Sequence, residues 1–269
     1  LMEEAPQKMD YGVLHYLVED YTISYDYSAT LWKENIKSSQ RQGSHEMLAL
    51  AAEYDNTDTT AFDHLLPTYR KIRKTLRPLG NAREEVEMLS SFFEGEFLWG
   101  ADVNERSFKK IANDYSIIHL AMHGLIHPRT PILSSLAFTE NKDSTEDNFL
   151  QAFEIAHLHL NAQLVVLSAC ETGFGKFEQG EGVMSLARSF MYAGTPSLVV
   201  SLWQVNDYAT AQIMKNFYHL LAQGVKKDEA LRQAKLTYLE KTTGIDGHPF
   251  FWASFIQLGN NKNIDIKKK

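Results

Sequence analysis

Cysteine is nearly absent from this chain: its 269 residues hold one, Cys170. An intrachain disulfide is therefore excluded, which fits a reducing compartment such as the cytoplasm. No apolar run approaches the ~20 residues of a transmembrane helix, and no basic-then-apolar leader is visible. Positive charge is not in excess either. The net charge of -7 and a pI of about 5.8 remove the global basic footprint of a nucleic-acid-binding protein. Repeat periods and low-complexity tracts are missing. What remains is an ordinary globular composition, 44% hydrophobic and 23% charged, long enough for one large domain or two small ones. The chain starts at Leu1 rather than at a methionine, so a longer parent protein is expected.

Strand-like and helix-like segments alternate almost throughout. Ser116–His123 (SIIHLAMH), Ala162–Ala169 (AQLVVLSA) and Pro196–Trp203 (PSLVVSLW) are short and almost continuously apolar. Strands buried on both faces of a parallel sheet read this way. Tyr21–Asp26, Met47–Tyr54, Glu96–Gly100 and Phe250–Gly259 are further strand candidates. Helices are expected over Ala82–Phe93 with Asn81 as cap, and from Asn104 to about Asn113. Others follow over Phe149–His159, Gly182–Ala193 with Gly194 as its stop, Tyr208–Gln223 and Lys227–Lys241. Such alternation predicts an open α/β sheet with right-handed crossovers and helices on both faces. His64–Pro78 puts Leu65, Tyr69, Ile72 and Leu76 on one helical face. Arg70, Lys71, Arg73, Lys74 and Arg77 cluster on the rest, which reads as a solvated basic face or a docking surface.

Residues 117–128, IIHLAMHGLIHP, space three histidines four apart. On a helix, His119, His123 and His127 would rise ~6 Å per step and could share a metal. Gly124 interrupts that run, and Pro128 pushes its neighbour out of helical geometry. The His-Glu-x-x-His pattern of zinc hydrolases is absent too. On a strand, His119 and His123 stand ~13 Å apart, too far for one ion. The strand reading makes His119 a core histidine, His127 a loop residue, and His123 the end of a buried strand. No metal or other cofactor is expected.

Ligands of open α/β sheets bind beyond the carboxyl ends of the strands. His123 sits at one such end and Cys170 at another. A lone cysteine is either a small buried hydrophobe or a nucleophile, and the second needs a histidine near it in space. If the two strands are neighbours, their ends lie ~5 Å apart. An imidazole there can stabilise the thiolate, take its proton, and later protonate a leaving amine. The backbone N–H groups of Gly124 and Cys170 could hold an oxyanion. The run TGFGKFEQGEG at 172–182 is no phosphate loop, because Lys176 is followed by Phe177 rather than Ser or Thr. An active-site loop suits it better.

At these residues the chain resembles the CHAT domain, a member of the caspase-fold cysteine peptidases that also include separase, metacaspases and gingipains. The group's signature is His-Gly after one strand and Ala-Cys after the next, here His123-Gly124 and Ala169-Cys170. VVLSACETG at 165–173, GEGVMSLARSFMYAG at 180–194, SLWQVND at 201–207 and HPFFWASFIQLG at 248–259 resemble family blocks. So do LGNAREEVEML at 79–89 and IIHLAMHG at 117–124. The resemblance implies one domain over 1–269 with its core at 10–260. It implies a caspase-like three-layer sandwich, α/β, built on six strands of which the last is antiparallel, with Glu96–Gly100 as an extra edge element. It implies His123 as general base and acid and Cys170 as nucleophile. Asp207 matches a position that contacts a basic P1 side chain in separase-like members; it is equally a good helix N-cap. Trp203, Gln204 and Glu171 are further substrate-contact candidates, with the peptide lying as an added strand along Val200–Gln204.

The function implied is a regulated intracellular cysteine endopeptidase acting on a protein substrate, cytoplasmic and off the membrane. An upstream repeat region or sensor partner would control it. The alternative from another class is a catalytically silent caspase-fold scaffold for protein interaction or signalling. A metal hydrolase built on the three histidines is a distant third.

Overall fold

The computed structural model describes residues 10–37, 42–54, 71–127, 129–141, 145–168, 181–203 and 207–264; the side chains of 34–37, 181–183 and 207 lie outside that description. Nine strands are described: β1 (His45–Ala51), β2 (Gly95–Trp99), β3 (Tyr115–Ala121), β4 (Gly124–Leu125), β5 (Ser135–Ala137), β6 (Phe149–Gln151), β7 (Leu164–Leu167), β8 (Ser197–Ser201) and β9 (Phe255–Gly259). The α-helices are α1 (Leu17–Asp20), α2 (Ala29–Lys37), α3 (Ala82–Leu89), α4 (Glu105–Ile111), α5 (Ala152–His157), α6 (Glu181–Tyr192), α7 (Asp207–Ala222), α8 (Lys227–Leu239) and α9 (Pro249–Trp252).

Six strands form the main sheet in the order β2-β1-β3-β7-β8-β9. The first five are parallel and β9 runs antiparallel to β8. The continuous apolar runs follow from burial on both faces. Ile118, Leu120, Val165, Leu167, Leu198 and Val200 point into one core with Phe108 of α4, Ile155 of α5 and Phe190 of α6. Their alternate neighbours Ile117, Ala121, Leu164, Val166 and Val199 point into the other, with Val86 of α3, Phe217 of α7 and Leu231 of α8. Each large aliphatic side chain so buried is worth ~1.5–3 kcal/mol. Among the described residues no helix is long and apolar enough to cross a membrane.

Several ends match the expected punctuation. Asn104 accepts the Ser107 N–H through its side chain at 2.9 Å, capping α4. Gly194, at φ 113°, stops α6: Gly194 N–H bonds the Met191 carbonyl and Thr195 N–H the Phe190 carbonyl. That pair of reverse bonds is the Schellman arrangement, and the positive φ is why glycine stands there.

Other expectations are corrected. Tyr21–Asp26 is no strand; it makes one parallel bridge, Tyr25 to Leu258, against the outer edge of β9. The sixth strand is instead Gly95–Trp99, the element expected as a supernumerary edge. Phe149–His159 divides into β6 and α5, and Phe250–Gly259 into the end of α9 and β9. Asn81 precedes α3 without a side-chain cap bond. Arg73, expected on a solvated basic face, is 2% exposed, while its neighbours Lys71, Lys74 and Arg77 are exposed. A small antiparallel sheet, β4-β5-β6, lies just beyond the carboxyl end of β3 and was not foreseen.

Candidate functional site at the carboxyl edge of the sheet

The strand carrying the first of the three histidines, His119, runs Tyr115–Ala121, and all seven of its residues are buried. His123 comes two positions later, between the end of β3 and the start of β4, and is 1% exposed. Main-chain bonds hold it there. Its N–H donates to the Tyr54 hydroxyl at 2.8 Å, and that hydroxyl donates to the Ala137 carbonyl at 2.6 Å. The Ala137 N–H in turn donates to the His123 carbonyl at 2.9 Å. The Tyr54 ring lies against the imidazole, with centroids 4.5 Å apart.

The imidazole itself is oriented by Nε2, which is 2.7 Å from the Arg77 carbonyl oxygen. A carbonyl only accepts, so Nε2 carries the proton and Nδ1 is the basic nitrogen of the neutral ring. Arg77 precedes Pro78, and a residue before proline is driven to extended geometry. The helical turn at 71–73 therefore gives way before Arg77, and its carbonyl is available to a neighbour outside the helix. Neither Tyr54 nor this carbonyl was singled out from sequence. A main-chain acceptor has no residue-type signature, and Tyr54 read only as the end of a strand that in fact stops at Ala51.

Gly124 opens β4 opposite Leu136. Because the bond across this ladder runs from Ala137 N–H to the His123 carbonyl, Gly124–Leu136 is the non-hydrogen-bonded pair. The Gly124 N–H consequently points away from β5. Ala169, Cys170, Glu171 and Gln204 lie outside the described residues. Asp207 is the first residue of α7 rather than the residue before it, and its carboxylate is outside the description. Trp203 follows β8, donating its indole N–H to the Phe250 carbonyl at 2.9 Å and stacking on the half-exposed Phe250 ring. The Ser201 hydroxyl donates to the Trp203 carbonyl at 2.6 Å.

The expected strand addition along Val200–Gln204 is corrected for its first part. Val200 pairs with Leu167 on one side and Ile256 on the other. Ser201 pairs with Phe255, and Leu202 N–H bonds the Ser254 carbonyl. An incoming backbone finds Val200 paired on both sides, and Ser201 and Leu202 bonded on the β9 side.

The other two histidines do different work. His119 is fully buried, with Nδ1 2.8 Å from the Tyr218 hydroxyl and Nε2 3.3 Å from Glu85 Oε1. Burial holds the Tyr218 phenol well above its ordinary pKa, with the Glu85 charge adding to it. His127 is a loop residue: its N–H donates to Ser134 Oγ at 3.1 Å, and its Nδ1 accepts from Thr130 N–H at 2.9 Å.

A separate charged cluster lies on the α4 side. Glu105, Glu146 and Glu154 are close enough together to hold a metal ion. The Lys109 ammonium already stands among them, 2.5, 2.9 and 2.8 Å from the three carboxylates. Burial pushes Glu105 up to about 7 against the opposing pull of Lys109. Partial burial alone would lower Lys109, but the hydrogen bonds it donates to Glu105, Glu154 and Glu146 hold it above its usual value.

Known proteins resemble this chain at three levels. Human tetratricopeptide repeat protein 28 is 26% identical over 221 residues, 70% of this chain. Its counterpart from Mus musculus is 25% identical over the same share. The chain spans about 9% of the length of these relatives. Among solved structures, the Saccharomyces cerevisiae separase–securin complex matches with TM-score 0.50 at 10% identity, over 90% of this chain and 14% of that one. The Arg-specific cysteine proteinase gingipain R matches with TM-score 0.49 at 12% identity, over 83% of this chain and 48% of that one. At such identity the likeness to separase concerns the fold, which is caspase-like: five parallel strands, an antiparallel sixth, and helices on both faces. The model of the CHAT domain matches residues 2–260, and the chain belongs to the CHAT domain family.

Proposed function

We propose that this domain is a cysteine endopeptidase in which His123 acts as general base and acid and Cys170 as nucleophile. One observation carries the reading. β3 and β7 are adjacent and parallel, and every pair in their ladder is offset by 47 positions, from Ile117–Leu164 to Leu120–Leu167. His123 and Cys170 are also 47 apart (170 − 123), three residues beyond the last of those pairs. Strands 4.7–4.9 Å apart with their chemistry at equal distance past the ladder suit a proton transfer between side chains.

In the proposed reaction the Cys170 proton passes to His123 Nδ1, the ring nitrogen that the Arg77 contact leaves basic. The thiolate attacks the peptide carbonyl and forms a C–S bond. The N–H groups of Gly124 and Cys170 stabilise the oxyanion. His123 returns the proton to the leaving amine, and water, activated by His123, hydrolyses the thioester. Asp207 would select Arg or Lys at P1 through charge and hydrogen bonding, with Trp203, Gln204 and Glu171 contacting the flanking residues. The substrate is a protein, met in the cytoplasm, where the single cysteine stays reduced. The repeat regions named in the tetratricopeptide relatives suit an upstream partner that controls the domain.

Covalent peptide probes bearing Arg, Lys, Leu or Asp at P1 test this. Arg and Lys probes should label the wild type and not Cys170→Ala. Labelling that survives Cys170→Ala sinks the mechanism. Failure of every probe together with unaltered partner binding favours the silent scaffold. A preference for Leu or Asp, indifferent to Asp207→Ala, removes the basic pocket alone.

A further inference from the structure

We infer that Arg73 is a positioning residue for His123, linking the connection between β5 and β6 to the imidazole. The inference rests on the His123–Cys170 reading above. Arg73 is 2% exposed, and its guanidinium is gripped from several directions. Nη1 donates to the Phe138 carbonyl at 2.5 Å and Nη2 to the Asn148 carbonyl at 3.2 Å. Those two carbonyls stand at the two ends of the β5–β6 connection. Glu140, within the same connection, faces Nη2 at 3.6 Å, and the Phe149 ring lies 4.4 Å from the guanidinium carbon. Burial lowers the Arg73 pKa, and the charges of Glu140, Tyr54, Asp147 and Glu105 oppose that. Arginine stays a cation under such conditions, so it must keep its acceptors or leave the interior.

The other end of the link is short. The Arg73 carbonyl accepts the Leu76 N–H at 3.2 Å, and Leu76 is buried at 3% exposure. The next residue is Arg77, whose carbonyl meets His123 Nε2 at 2.7 Å. A single turn, 73–77, is thus fixed at its start by a forked cation and ends on the catalytic ring. The same connection also follows β5, where Ala137 N–H holds the His123 carbonyl. Guanidinium geometry matters here, because the planar fork presents its donors at a fixed spacing to the two carbonyls, which the single nitrogen of an ammonium does not reproduce. A ligand or partner that draws Glu140 outward would withdraw the counter-charge from Arg73 and loosen the Arg77 carbonyl from the imidazole. The site then loses the contact that sets its tautomer.

The test uses the reactivity of the single cysteine. Alkylation of Cys170 by iodoacetamide is followed against pH in the whole chain, for wild type, Arg73→Lys, Glu140→Gln, Tyr218→Phe and His123→Ala, with melting curves for each. Arg73→Lys keeps the charge and loses the fork. It should slow alkylation roughly tenfold near neutral pH and move the profile toward that of a free thiol. Glu140→Gln should move it the same way by less. Tyr218→Phe, which weakens the opposite face of the sheet, should leave the profile in place. Nitrogen-15 NMR of the imidazole should show the Nε2–H form eroded in Arg73→Lys. If Arg73→Lys does not fold, Glu140→Gln decides the matter by the same two readouts. A profile that shifts in His123→Ala but superimposes on wild type in Arg73→Lys and Glu140→Gln overturns this inference and leaves the dyad standing. A profile unmoved by His123→Ala overturns the dyad and the inference with it.

Discussion

His119 and His123 stand four residues apart on one chain segment, and both are buried, yet their surroundings differ in kind. His119 is met by side chains on both ring nitrogens, Tyr218 from α7 and Glu85 from α3. His123 is held by its own main chain and by one carbonyl on one ring nitrogen. A ring engaged at both nitrogens by core side chains is a structural member of the helix–sheet interface. A ring whose orientation is set through the backbone has its tautomer fixed by a main-chain carbonyl instead. Burial alone therefore does not distinguish these two histidines; the source of the partners that orient them does.

The largest effect that would break this contrast lies at His123. His123→Ala should cut hydrolysis of a Cys170-dependent substrate by ~10²–10⁴-fold. Its melting temperature should fall by only a few degrees, roughly 2–4 °C per kcal/mol lost in a domain of this size. A variant that keeps its turnover would move His123 into the class of His119.

The converse substitution, His119→Leu, should do the reverse. The substitution takes the imidazole away from the buried Tyr218 hydroxyl and from Glu85, which is 6% exposed, at ~1–3 kcal/mol for each buried polar group left unsatisfied. The melt should drop by roughly 4–24 °C. Alkylation of Cys170 in the protein that remains folded should stay within about threefold of wild type. A large loss of thiol reactivity with an unchanged melt would show that the two rings share one function.

Stability against pH sharpens the comparison, provided the carboxylate cluster is separated from the histidines. Glu105 is held protonated up to about 7 by burial. The folded protein therefore binds more protons than the unfolded chain between the ordinary carboxylate range and that value. Stability contributed at this group falls as pH rises through the window and levels off above it. Lys109 is raised instead, so its contribution is intact below its ordinary pKa and constant across the same window. Glu105→Gln should flatten the slope between pH 5 and 7, a change on the order of 2 kcal/mol. A slope that survives Glu105→Gln would belong to other groups.

The large sheet was legible because its strands are buried on both faces. Ile117–Leu120, Leu164–Leu167 and Leu198–Val200 leave an almost continuous apolar imprint, broken at His119, that needs no periodicity. That the run before His123 is a strand was legible through Gly124, which interrupts a helix there. β5 and β6 left no such imprint: three residues each are too few for an alternation, and Phe149–Gln151 merged with the helix behind it. Arg73 was misread for a physical reason. A cation within a basic run belongs in solvent unless it meets acceptors from distant segments, and the Phe138 and Asn148 carbonyls lie 65 and 75 residues away. The Arg77 carbonyl could not be read at all, since every residue has one.

The finest test compares two buried tyrosines that each serve one histidine. Tyr218 bonds the ring of His119, and Tyr54 bonds the N–H of His123 while donating to Ala137. Either change to phenylalanine removes a buried hydroxyl, which costs ~1–3 kcal/mol where partners are left unsatisfied. Similar stability losses are therefore expected for both. Their kinetics should part. Tyr218→Phe should leave kcat unchanged, whereas Tyr54→Phe frees the His123 backbone and should lower kcat several-fold at constant KM, because a sub-ångström displacement of a base weakens transfer more than binding. Equal kinetic losses in the two variants would mean that the imidazole of His123 is positioned by the core as a whole, and the distinction between the two rings would lose its structural basis.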